Sequence, residues 1–112
     1  MAVKSYLVTL DGTSGQSLYG TLFPSGAAGD ANDPAFGTML FQADKANTNE
    51  AYIGGKDTTV SSSAYGRRLD PGDTSANSVV ELIADGCSAL RLSDFKISGT
   101  AGEKIAIIGI VR

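Results

Sequence analysis

Twelve carboxylates, nine basic groups and one thiol are the reactive inventory of this chain, and histidine is missing from it altogether. Ser–His–Asp and Cys–His nucleophile systems therefore cannot be built, and the commonest zinc ligand is absent. Ser93-Asp94-Phe95-Lys96 matches a bare Ser-x-x-Lys pattern. That motif needs a helix start to bring the lysine onto the serine, and a strand is expected here. Gly54-Gly55-Lys56-Asp57 ends like a phosphate-binding loop, yet Glu50 stands where the first glycine should be and Asp57 where a magnesium-binding Ser or Thr belongs. It reads as a hairpin turn. Asp70 and Asp73 flank a Pro-Gly turn, where aspartate ordinarily bonds nearby backbone amides. Asp30, Asn32 and Asp33 are the one plausible cluster of oxygen ligands for a cation such as calcium. They lack the EF-hand spacing and its terminal glutamate, so a solvated loop is the expectation. Cys87 has no histidine to activate it and reads as a small buried hydrophobe. No metal, no cofactor and no enzymatic activity are expected.

What remains is the chemistry of contact. Arg67-Arg68 is the only adjacent basic pair, beside Tyr65 and Gly66. Its guanidiniums could stack or meet carboxylates at an interface, or stand solvated on an edge strand that charge protects from unwanted pairing. Tyr6, Tyr19, Tyr52 and Tyr65 are either contact aromatics or core-margin rings with wet hydroxyls. A net charge of −3 argues against a phosphate-neutralising face, so no nucleic-acid partner is expected. No run approaches the roughly 20 apolar residues of a membrane helix, and the N-terminus lacks the pattern of a signal peptide. The lone cysteine allows no intrachain disulfide, which fits folding in a reducing compartment.

The elements that must carry these contacts are strands. At 112 residues the chain fits a single domain, residues 1–112, and its 14 glycines imply many turns. Apolar residues rarely recur at helical spacing, whereas strand-length pieces bounded by turn residues recur throughout. Strands are predicted for Val3–Leu10, Ser17–Phe23, Phe36–Ala43, Ala51–Ile53, a Thr/Val/Ser piece around Thr59–Ser61, Ser78–Ala84, Ala89–Leu92 with Arg91 outward, Phe95–Ser98 with Lys96 and Ser98 exposed, and Lys104–Val111. In the third, Met39 and Phe41 should face one way and Phe36, Thr38 and Leu40 the other. Asp44–Asn49 is a polar connection with room for one helical turn. Residues 25–35, SGAAGDANDPA, hold no large apolar side chain and read as a surface loop that a neighbour would order.

The last strand is the most telling for assembly. Ile105, Ile107 and Val111 share one face, and Ala106, Ile108 and Ile110 the other. A half-exposed antiparallel strand should alternate apolar with polar. This one does not, so both faces should be covered, the second by another subunit or by a loop of the chain itself. The fold class expected is all-β: a single antiparallel β-sandwich or a jelly-roll-like barrel.

Tyr52-Ile53-Gly54-Gly55, Thr59-Val60-Ser61, Gly66, Leu69-Asp70-Pro71-Gly72 and the late Gly99-Thr100-Ala101-Gly102 hairpin together resemble a pattern of small virion proteins of tailed bacteriophages. The likeness covers Ala51 to Val111 and leaves the first 50 residues out. It implies a capsid decoration (cement) protein or a related head or tail component, assembled in the host cytoplasm and seated on the capsid surface. Its partners would be the major capsid protein and its own copies, with a homotrimer favoured. On that reading Asp30, Asn32, Asp33, Tyr65, Arg67 and Arg68 contact the capsid, and Ile108 and Ile110 form the subunit interface. The rival is a carbohydrate- or receptor-binding β module of a fibre or tail, which would need exposed aromatics along a groove.

Overall fold

Alternation of inward and outward side chains sets most of the strands. The structure, a computed structural model, describes residues 2–27, 31–72, 76–84 and 89–112. Val3–Thr9 forms β1, Gln16–Ser17 β2, Phe36–Ala43 β3, Ala51–Gly55 β4, Arg67–Leu69 β5, Val79–Ile83 β6, Phe95–Ser98 β7 and Lys104–Val111 β8. All the pairings are antiparallel. One sheet runs β1-β8-β3-β6 and the other β2-β7-β4-β5. The first strand thus pairs with the last, the second with the seventh, the third with the sixth and the fourth with the fifth. A chain nested in this way is a jelly roll, a sandwich of two sheets with eight strands among the described residues. Val8, Phe41, Ile53, Leu69, Ile97 and Ile107 are among the residues that fill the space between the sheets.

Several local expectations are corrected. Ser17–Phe23 is not one strand: Leu18–Leu22 forms a short helix, α1. Ser17 caps it, its Oγ accepting the Gly20 N–H, while the Thr21 hydroxyl donates to the Ser17 carbonyl. These local bonds offer the backbone a helical alternative to a ladder. α1 packs against β1 and β7, with Leu18 and Tyr19 buried.

Phe36 lies with Met39 and Phe41 on the inner side of β3, because the register shifts between Phe36 and Thr38. An extra residue in one strand moves everything before it to the other face. The ring comes to rest over Gly109, where an added Cβ would stand 2.6 Å from Phe36 Cδ1.

The stretch from Ala51 also differs. β4 continues through Gly54 and Gly55, and its hairpin partner is β5, with Tyr52 opposite Arg68. The Thr59–Ser61 piece belongs instead to a loop, residues 56–66, laid against the second sheet. Val60 is buried there, its Cγ2 only 2.7 Å from where a Cβ on Gly54 would be, and its carbonyl accepts the Gly15 N–H.

Between β6 and β7, Leu90 bridges Phe36 and Leu92 is buried, but Leu92–Asp94 is a 3-10 turn. Arg91 is half-buried rather than outward, and its Nη1 donates to the Asp33 carbonyl. Ser98, expected to be exposed, is 8% accessible. Cys87 and Asp73 lie outside the described residues.

Candidate interaction surface

Register in the first sheet decides what its outer face presents. Directly opposed residues of an antiparallel pair share a face. Val3 opposes Ile110, Ile110 opposes Thr38, and Thr38 opposes Ile83, giving one row across all four strands. The next row is Ser5, Ile108, Leu40, Glu81, and the third Leu7, Ala106, Gln42, Val79. Tyr6, Val8, Ile105, Ile107, Met39, Phe41 and Val80 are among the residues on the opposite, inward face. The outer face is thus mostly aliphatic, with Glu81 on the edge strand β6 the only ionisable group in these rows.

This face is not covered by any described segment. Val3, Leu7, Val79, Ile83, Ile108 and Ile110 are 37% to 69% exposed, and they are six of the seven large hydrophobic residues exposed among those described. The seventh, Tyr65, is elsewhere. Four strands of five to eight residues give a footprint of roughly 19 by 17 to 27 Å. That is on the order of 400 Å², the size of the largest apolar patch on a typical monomer, which is often functional. Of the two covers open to the last strand, a loop of the chain does not supply one among the described residues. The second sheet differs, because residues 56–66 lie against its outer side.

The other expected contact residues are scattered over separate surfaces. Asp33 is fully buried. Its carboxylate accepts the Ser93 N–H at 3.2 Å and the Ser93 hydroxyl at 2.6 Å. Buried in this way, it pins the segment before β3 to the turn before β7 and is not available to a capsid or a solvated cation. Burial, with the Asp33 charge second, pushes the Tyr6 hydroxyl above its ordinary pKa. Asn32 is exposed and lines a shallow groove with Leu22, Phe23, Pro24, Ser25 and Gly26. Asp30 lies outside the described residues. No group of three potential metal ligands occurs among the described residues.

Arg67 and Arg68 do lie on an edge strand, β5, and both are exposed. Arg68 meets carboxylates of its own chain: Nε donates to Asp70 Oδ1 at 3.0 Å and stands 3.9 Å from Glu50 Oε2. Asp70 first and Glu50 second raise its pKa further. Tyr65 packs its ring 4.9 Å from that of Tyr52, tilted by 41°. The sequence singled out Ile108 and Ile110 but missed Val3, Leu7, Leu40, Val79 and Ile83 as their companions. Only the strand register reveals that these five stand on the same face.

Comparison of the chain with family models, with curated proteins and with solved structures finds no match in any of the three.

Proposed function

We propose that the chain is a structural protein of a virus particle: a capsid decoration protein on the outside of a tailed-phage head, working there as an oligomer, with a trimer favoured. The observation that carries this reading is the uncovered aliphatic face of the β1-β8-β3-β6 sheet. Jelly rolls serve in viral capsids and also in lectins. One fold hosts many unrelated activities, so the weight rests on the face and not on the topology. A decoration protein stabilises a shell by adding buried area between its subunits. A standard specific contact takes roughly 800 Å² from each partner, so the rims beside the footprint of about 400 Å² must join in. Repeated engagement by an oligomer then adds avidity without stronger single contacts.

In this proposal Ile108 and Ile110 sit at the subunit interface, and Tyr65, Arg67, Arg68 and Asn32 face the capsid. Co-sedimentation with assembled particles tests it. The expected result is a fixed stoichiometry to the major capsid protein, and the Arg67→Ala, Arg68→Ala double variant should show reduced occupancy at raised salt. Absence from the particle pellet contradicts the reading. Unchanged occupancy of the double variant removes the arginines from the contact.

A further inference from the structure

The second sheet carries on its outer side a cleft of different character. It has a volume of about 480 Å³, and eight of its eleven lining residues present a hydroxyl or a carboxamide. Its floor comes from Tyr52 on β4 and Ser98 on β7, which oppose one another in the ladder. Ser61 and Ser62 of the 56–66 loop line it as well, together with Thr48, Asn49 and Glu50 before β4 and Thr100 after β7.

Three features distinguish it from an incidental dip. First, four of its seven hydroxyls are not used by the fold. The side chains of Ser14, Ser62, Ser98 and Thr100 make no hydrogen bond among the described residues, and Ser98 is over nine-tenths buried. The Ser98 hydroxyl opens onto the cleft, where a ligand can meet it. Second, one wall is held in place. Glu103 accepts the Thr48 N–H at 2.8 Å, the Thr48 hydroxyl at 3.0 Å and the Asn49 N–H at 3.2 Å. Third, the aromatic on the floor is fixed on two sides. Tyr52 packs against Tyr65, and its hydroxyl donates to Glu50 Oε2 at 3.0 Å. Burial first, and this bond second, raise its pKa, so the donor stays protonated.

The chemistry on display selects the ligand. Among the described residues no lysine or arginine lines the cleft and one glutamate does, which disfavours phosphate and other anions. A single carboxylate among the described lining residues is too few for a bare cation. A peptide cannot join the floor as an added strand, because β4 and β7 are already paired on both sides. A pyranose fits: its C–H face packs on an aromatic ring, while its hydroxyls give and take hydrogen bonds at once, as serine, threonine and asparagine do. We propose that this cleft binds a neutral saccharide, one or two pyranose rings in extent, with Tyr52, Ser98, Asn49 and Ser62 as principal contacts. The proposal is independent of the particle role and holds or fails separately from it.

The test is a titration of the full 15N-labelled chain with glucose, galactose, N-acetylglucosamine and their β1,4- and α1,4-linked disaccharides, followed by amide chemical shifts. An open site of this kind calls for a dissociation constant on the order of 1 mM. At least one of these sugars should give saturable shifts confined to residues 48–52, 61–62 and 98–100. Ser62→Trp, which fills the cleft from an exposed loop position, should abolish them while leaving the thermal midpoint unchanged, and Tyr52→Ala should weaken them at least tenfold. Saturable shifts from none of these sugars, or shifts that persist in Ser62→Trp, overturn the proposal. So does saturable binding of inorganic phosphate at the same amides.

Discussion

At the scale of single residues, Asp33 and Glu103 act by fastening segments distant in sequence. Asp33 holds Ser93 across 60 positions, and Glu103 holds Thr48 and Asn49 across 55 and 54. Replacing Asp33 by alanine leaves the Ser93 N–H and hydroxyl without their acceptor. A loss of about 1–3 kcal/mol is expected, read as a lower urea midpoint with an unchanged m-value. For Glu103, burial works to raise the pKa, but the bonds from Thr48 and Asn49 outweigh it and the group sits below its ordinary value. A depressed carboxylate stabilises the fold above the unfolded-state pKa, and that contribution is lost as pH falls through the folded-state value. Urea midpoints of the wild type and Glu103→Gln should therefore differ at neutral pH and converge on acidification below the usual glutamate range. A gap that stays constant down to low pH would show that the charge is not what matters. Neither fastening could be read from sequence. Asp33 sits in a polar run that resembles a solvated loop, and nothing local points to Ser93.

At the scale of elements, the sequence pattern identified most strands, and its failures have local causes. β1, β3, β6, β7 and β8 alternate or hold apolar runs between turn residues, and they form close to where the pattern puts them. Ser17–Phe23 alternates too, but a capping serine and a threonine bonding back to it turn the segment into α1. Phe36 turns to the inner face through a bulge, which leaves no mark in hydrophobic alternation. Gly109 was the available signal, since a glycine inside a strand often marks a close approach. Gly109→Ala would drive a methyl to 2.6 Å from the Phe36 ring. Overpacking of this kind costs about 1–3 kcal/mol, and thermal unfolding should show it. A midpoint equal to the wild type would mean that the ring does not lie over Gly109.

At the scale of the whole molecule, the two sheets differ in what their outer sides meet. The β2-β7-β4-β5 sheet has a loop and a polar cleft on its outside. The β1-β8-β3-β6 sheet has six exposed aliphatic side chains and no described cover. The sequence showed one line of this face, Ala106, Ile108 and Ile110, and inferred from it that a cover is needed. The pairing with β1, β3 and β6 turns that line into a surface, and pairing partners far apart in the chain cannot be read from composition. Copies of the chain are proposed to meet through this surface, and sedimentation equilibrium tests that contact most directly. The wild type should be an oligomer, and Ile108→Asp with Ile110→Asp should be a monomer with an unchanged circular dichroism spectrum. A wild-type monomer at a concentration of about 100 μM, corresponding to association weaker than roughly 5 kcal/mol, would contradict the account.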